Sequence, residues 1–242
     1  MSKECYANKK EEHIFYLNLR GKSMDKKTTL WDGFCEKYNI LQKDVPLFKI
    51  EDGSVAINHN YGRNKRKVLL RSDEMKKLVI EQAQLVTMDI INKYCGLIYI
   101  MYRKKDSHVI PLYIGKCGKL GRGGNLNTNL KNIPQNEQYF CRWGDDYYRH
   151  IGGLSAATLC GYPKEKIATK YENMAKELFN CKRPTNTPKE RESTWFWILA
   201  CDEELLKEYD AKYLNDFESK LIDSASEKYP ILLNKSKTKR IL

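Results

Sequence analysis

Two apolar runs, each carrying a tyrosine, flank one polar turn, and no other feature constrains the fold of this chain so tightly. Leu97-Ile98-Tyr99 and Tyr113-Ile114-Gly115 read as strand segments, and Arg103-Lys104-Lys105-Asp106-Ser107 between them reads as a polar turn. Alternate side chains of a strand share a face. From Leu97 to Met101 the odd positions therefore lie together, and Tyr113 is expected to share its face with Pro111 and Gly115. The segment predicts a β-hairpin that presents both phenols above one site, with Gly115 letting the backbone leave the strand where a substrate approaches. Sheet packing alone also accounts for two tyrosines, which are favoured strand residues.

Composition sets the outer bounds. A chain of 242 residues with 41% hydrophobic content forms one large domain or two modest ones around an ample core. Forty-three Lys and Arg against 31 Asp and Glu give a net charge of +12. Such a balance suits a partner with many negative charges, nucleic acid first, although charge alone is shared with ribosome-associated and membrane-surface proteins. Eight cysteines are scattered without a C-x-x-C pair or a histidine placed for a zinc knuckle, and they read as reduced thiols of a cytoplasmic protein. Met1 to Glu12 is charged, and the longest apolar run, around Cys95 to Tyr102, falls far short of the ~20 residues that span a bilayer. No membrane partner is expected.

Along the chain, Thr28 to Tyr38 predicts a short helix capped by Thr28 or Thr29, and Pro46 to Asn58 a hairpin turning at Asp52-Gly53. Tyr61 to Lys67 places Arg63, Lys65, Arg66 and Lys67 beside an aromatic on an apparent loop, a composition suited to backbone phosphates or to simple solvation. Ser72 to Tyr94 predicts a long helix with Ser72 as N-cap and Met75, Leu78, Val79, Ala83, Val86 and Ile90 on its apolar face. After the hairpin comes a glycine-rich basic loop with Lys119 and Arg122. Asp145 or Asp146 is expected to cap a helix holding Tyr148, Ile151, Leu154 and Leu159, and Lys164 to Phe179 forms a second one. Thr194 to Ala200 supplies a third strand. The fold class is α+β: a small antiparallel sheet of about three strands flanked by helices over residues 91–242, with an N-terminal α+β extension over 1–90.

Tyr113-Ile114-Gly115-Lys116, then Arg142-Trp143-Gly144, then His150-Ile151-Gly152-Gly153, make the pattern specific. With Glu218 and Asn234 downstream, the chain resembles the GIY-YIG nuclease superfamily, its first glycine standing one place early in Gly96-Leu97-Ile98-Tyr99. The resemblance implies a metal-dependent endonuclease acting on DNA. Tyr99 would accept a proton from the attacking water, Tyr113 would bind the phosphate or share that role, and Lys116, Arg142 and His150 would supply cations and proton movement. Glu218 would hold Mg²⁺, with Mn²⁺ able to substitute, and Asn234 would complete the catalytic set. Arg122 and Arg149, which also lie between Tyr113 and Glu218, compete with Arg142 for the phosphate.

Glu218 also has a reading from the residues alone. It lies at the edge of the apolar stripe Leu214, Phe217, Leu221, Ile222 and Ala225, where a carboxylate needs a cation, a partner such as Lys220, or a path to solvent. Asp145-Asp146 is a rival metal site, better read as a helix cap. The glycine-rich loop lacks the Gly-Lys-Ser/Thr ending of a Walker A motif, and Ser155 has no nucleophile-elbow context. An inactive nucleic-acid-binding protein, or a nuclease acting on RNA or repair intermediates, remains the alternative. One site per chain implies a dimer or two encounters for a double-strand cut.

Overall fold

The computed structural model describes residues 29–61, 65–121, 123–131, 150–180 and 182–234. Among them the fold is a mixed α+β arrangement with seven α-helices and a four-stranded antiparallel sheet. The elements in chain order are α1 (Leu30–Lys37), β1 (Val45–Pro46), β2 (Ile50–Glu51), β3 (Ser54–Val55), β4 (Ile57–Tyr61), β5 (Arg66–Leu69) and α2 (Asp73–Thr87). Then follow β6 (Tyr94–Lys105), β7 (His108–Gly118), α3 (Thr128–Lys131), α4 (His150–Thr158), α5 (Thr169–Leu178), β8 (Trp195–Asp202), α6 (Glu203–Glu208) and α7 (Leu214–Lys228). The sheet runs β1-β8-β6-β7, so the expected three strands gain a fourth, and β7 is an edge. That fourth strand is two residues of the N-terminal segment, Val45 and Pro46, paired with Phe196 and Trp195. A two-residue strand has no periodicity to read.

The predicted hairpin is present, with Tyr99 opposite Gly115 and Met101 opposite Tyr113. Two details differ from the expectation. The turn is only Asp106-Ser107, both at positive φ (47° and 61°), as a tight hairpin turn requires. Arg103, expected in that turn, is buried in β6 instead, its guanidinium donating to the Glu177 carboxylate at 2.7 Å. The second difference is a bulge: Tyr102 faces Pro111 while Met101 faces Tyr113, leaving Leu112 as an extra residue on β7. A bulge reverses the alternation, so Pro111 does not share the face of Tyr113 and Gly115.

Each face of the sheet buries its own core. Leu97, Tyr99 and Met101 pack with α2, α4 and α5 on one side, through Met75, Val79, Leu154, Tyr171, Met174 and Leu178. Ile98, Ile100 and Tyr102 pack on the other with Trp31 and Phe34 of α1 and Leu214, Phe217 and Leu221 of α7. Gly153 of α4 stands where a Cβ would meet the Tyr171 ring at 2.4 Å, so its bareness lets α5 seat against α4. Buried Ser155 accepts the Leu69 N–H at 3.0 Å and ties α4 to β5, a structural use of that hydroxyl.

Thr29 caps α1 and Ser72 caps α2, both as the residue types dictate. The long helix expected to Tyr94 ends at Thr87. Asp89 stops it, because its carboxylate accepts the N–H groups of Lys93 (3.0 Å) and Tyr94 (2.8 Å), a local alternative to continued helix. Ile90, placed on the apolar face by periodicity, is 93% exposed in the resulting loop. The helix expected from Lys164 to Phe179 opens as a 3₁₀ turn and becomes α-helical over Thr169–Leu178. Leu159 lies past the end of α4, and the proposed caps Asp145 and Asp146, with Tyr148, fall outside the described residues.

Candidate active site

The register of the hairpin brings the two phenols together. Tyr99 and Tyr113 lie diagonally across β6 and β7, their ring centroids 6.2 Å apart and their planes 21° from parallel. Phe196 of β8 flanks Tyr99 on its other side at 6.1 Å, so Tyr99 is the middle ring of three. The stack needs Gly115. A Cβ there would lie 2.4 Å from Tyr99 Cζ and 2.5 Å from its hydroxyl, so the glycine makes room for the phenol itself. The strand does not end at Gly115, since β7 runs on to Gly118. Gly96 serves the same strands with its φ of +153°, where a Cβ would strike Cys117 O and the Leu214 side chain.

The two phenols differ in access. Tyr99 is 1% exposed, whereas Tyr113 is half-buried at the edge strand. There the Lys170 ammonium, from the first turn of α5, donates to the Tyr113 hydroxyl at 3.2 Å. It also lies 4.6 Å from the Tyr113 ring centroid and 5.4 Å from that of Tyr171, distances suited to cation–π attraction. Although Lys170 as a residue is exposed, this cover desolvates its charged end and pulls the ammonium below the ordinary lysine range. The negative charge of Glu218 opposes that shift, which places the carboxylate within electrostatic reach of Lys170.

Glu218 is held by α7, whose stripe of Leu214, Phe217, Leu221, Ile222 and Ala225 is buried as predicted, with Glu218 half-buried at its margin. Asp216 anchors the helix start by accepting the Tyr213 N–H at 3.0 Å. Lys220, the candidate partner for Glu218, is occupied elsewhere: its ammonium donates to Tyr209 O, Asp210 O and Asp210 Oδ2. Asn234 follows α7 and pairs with the edge strand through both halves of its amide. Its Oδ1 accepts the Ile114 N–H at 3.2 Å and its Nδ2 donates to Ile114 O at 2.6 Å. Leu233 N–H adds a bond to Leu112 O, so residues 233–234 strap β7 beside the phenol pair.

Other candidates lie apart. Lys116 is opposite Ile98, whose side chain belongs to the second core, so it is on the face that α7 covers and away from the phenols. Lys119 is a clamp: its three N–H donors go to Asp89 Oδ2 (2.8 Å), Asp89 O (3.3 Å) and Asn92 Oδ1 (3.0 Å), leaving none for a phosphate. Arg66 and Lys67, expected on a loop, stand on β5, with Lys67 donating to Asn186 at 2.9 Å, while Lys65 is exposed at the hairpin turn. His150 opens α4, and its side chain lies outside the description. Arg63, Arg122, Arg142 and Arg149 lie outside the described residues.

Sequence reasoning missed Lys170. The predicted helix begins at Lys164, which puts Lys170 in its second turn, and only the observed start at Thr169 places this cation at the end of a helix. Among the described residues Cys35, Cys95, Cys117, Cys160 and Cys201 are free thiols, and burial pushes the Cys35, Cys95 and Cys201 thiols up, away from thiolate chemistry. No family model matches the sequence, and comparison with curated proteins and with solved structures returned no significant match.

Proposed function

We propose that this chain is a GIY-YIG-type endonuclease that hydrolyses phosphodiester bonds in DNA with Mg²⁺ held at Glu218. The observation that carries the reading is the cluster at the Tyr99–Tyr113 pair: two stacked phenols, an ammonium donating to one of them, and Glu218 acting electrostatically on that ammonium.

The donor set fits Mg²⁺. Mg²⁺ takes one or two carboxylates, keeps several waters and completes its shell with substrate phosphate, and the Glu218 carboxylate would supply the protein's share of that shell. Among the described residues no group of three His, Cys, Asp or Glu forms a closed cage of the zinc kind. When bound, the ion supplies Lewis-acid stabilisation of charge at the phosphate and the leaving oxygen.

The protein's own groups divide the remaining work. The water oxygen bonds to phosphorus as the bond to the leaving oxygen breaks, and the water's proton passes to a phenolate of the Tyr99–Tyr113 pair. Solvent returns a proton to the leaving oxygen. Lys170 adds positive charge beside the reacting phosphate, an effect strongest in the transition state. Asn234 holds the edge strand, and the phenol on it, in place.

The test is incubation of purified protein with supercoiled plasmid, single-stranded DNA and RNA, with Mg²⁺ or EDTA. Nicking or linearisation of plasmid that EDTA abolishes is expected. Plasmid that is bound but stays intact would support the nucleic-acid-binding alternative instead.

A further inference from the structure

We propose that the β4–β5 hairpin is a ribbon that lies in the major groove of duplex DNA, where His59 and Asn60 read base edges. The inference rests on the nuclease reading for its partner, DNA, and adds what such an enzyme recognises. Among the described residues β4 and β5 pair only with each other, apart from the four-stranded sheet. The major groove of B-form DNA, about 12 Å wide, admits a two-stranded ribbon of this kind.

The ribbon has a buried root and a polar far end. Val68 and Leu69 are buried in the first core, the Leu69 N–H donates to Ser155 Oγ, and the Tyr162 hydroxyl donates to Lys67 O. Beyond them the ladder breaks. Asn58 pairs with Val68 and Tyr61 with Arg66, so His59 and Asn60 together oppose the single residue Lys67. A bulge re-aims side chains and adds twist. The Asn58 side-chain oxygen accepts the Asn60 N–H at 2.9 Å and holds this bulge in shape, while His59 and Asn60 are both exposed.

Their chemistry suits bases. An asparagine presents a donor and an acceptor side by side, the match for adenine N7 and N6, and a histidine ring nitrogen donates or accepts. The charge around them suits the flanking phosphates. From Gly53 to Ser72 the chain carries no Asp or Glu, while Lys65 is exposed at the turn and Lys67 donates to a neutral amide, that of Asn186, at 2.9 Å. A packed path joins the ribbon to the phenol pair: Ser155 of α4 holds β5, Gly153 of the same helix receives the Tyr171 ring, and Lys170 beside that ring donates to Tyr113. The bases read and the phosphate cut therefore stand at a fixed spacing.

The test is selection of bound duplexes from a random-sequence DNA pool, performed in EDTA so that binding is read without cleavage. Wild type should enrich one short motif. His59→Ala and Asn60→Ala should each lose about ten- to a hundredfold of the preference at a base pair within it and keep their affinity for unrelated duplex. Lys65→Gln should instead weaken all duplexes alike and lower the salt slope by about one. On wild type itself, 7-deazapurines placed in the motif, which lack the N7 acceptor of the major groove, should weaken binding about tenfold or more. A wild type that enriches no motif, a motif indifferent to both alanine variants or to 7-deazapurines, or a preference for duplex RNA, whose major groove is too narrow for a ribbon, overturns the inference. Plasmid cutting, measured separately, decides the nuclease reading: cutting without a motif removes the ribbon alone, and a motif without cutting removes the nuclease and keeps the ribbon.

Discussion

Gly115 shows how closely single residues constrain this site. A strand glycine is usually a weak point, and here it is the gap that Tyr99 fills, with 2.4 Å between a notional Cβ and the ring. Gly115→Ala must move the ring or the strand, and overpacking of this kind costs about 1–3 kcal/mol. The expected result is a lower midpoint in urea unfolding together with a loss of cleavage beyond what the stability change explains. The sequence pointed to Gly115 correctly but for another reason, the approach of a substrate, because nothing in a linear pattern says which ring lies across the neighbouring strand. Arg103 escaped for the opposite reason. It looks like a turn residue, and distant carboxylates, Glu177 on α5 at 2.7 Å and Glu192 at 4.0 Å, make its burial tolerable.

At the scale of elements, caps and clamps hold the frame of the sheet. Ser72 caps α2 by accepting the Met75 N–H at 2.9 Å and donates its own hydroxyl to Pro46 O, so one side chain ties the helix start to β1. Ser72→Ala should cost about 1 kcal/mol or somewhat more, measured by chemical unfolding, because both ends lose a partner. The loop after α2 is held by Asp89, whose side chain is 3% exposed and ion-paired with Lys119. Burial raises this carboxyl, but the Lys119 bond and the N–H groups of Tyr94 and Lys93 outweigh it and hold the group at about 2. Its unfolded value is ~3.9, so the stability it contributes is fully present above about pH 4 and is lost as pH falls toward 2. Asp89→Asn should therefore flatten the pH dependence of unfolding between about pH 4 and 2, and an unchanged slope would remove Asp89 from the account. Asn234→Ala should release the strap on β7, seen as faster hydrogen exchange of the Ile114 amide.

Across the whole molecule, the strongly periodic elements were legible and the non-local pairings were not. The hairpin, β8, α2 and α7 follow from runs of fixed period: β8 lies within two residues of its expected bounds and α7 carries its expected stripe, whereas α2 stops at Thr87 and the hairpin strands run on into the expected turn. β1 is too short to carry a period, the bulge at Leu112 leaves no signature in composition, and Lys170 reaches Tyr113 across 57 positions of sequence. Site residues named one at a time were thus sorted by topology: Tyr99 and Tyr113 stack across β6 and β7, Asn234 bonds the β7 edge, Glu218 acts electrostatically on Lys170, Lys116 turns to the face that α7 covers, and Lys119 serves the frame.

The net charge of +12 is a property of the entire chain and should appear as a steep fall of DNA affinity with salt, which an uncharged groove would not give. The account stands most directly on Glu218. Single-turnover cleavage of plasmid by wild type and Glu218→Ala, each with Mg²⁺ and with EDTA and each with DNA affinity measured alongside, separates chemistry from binding. Wild type should cut only with the ion, and Glu218→Ala should bind DNA without cutting it. Cleavage by wild type in EDTA, or an active Glu218→Ala protein, would contradict it.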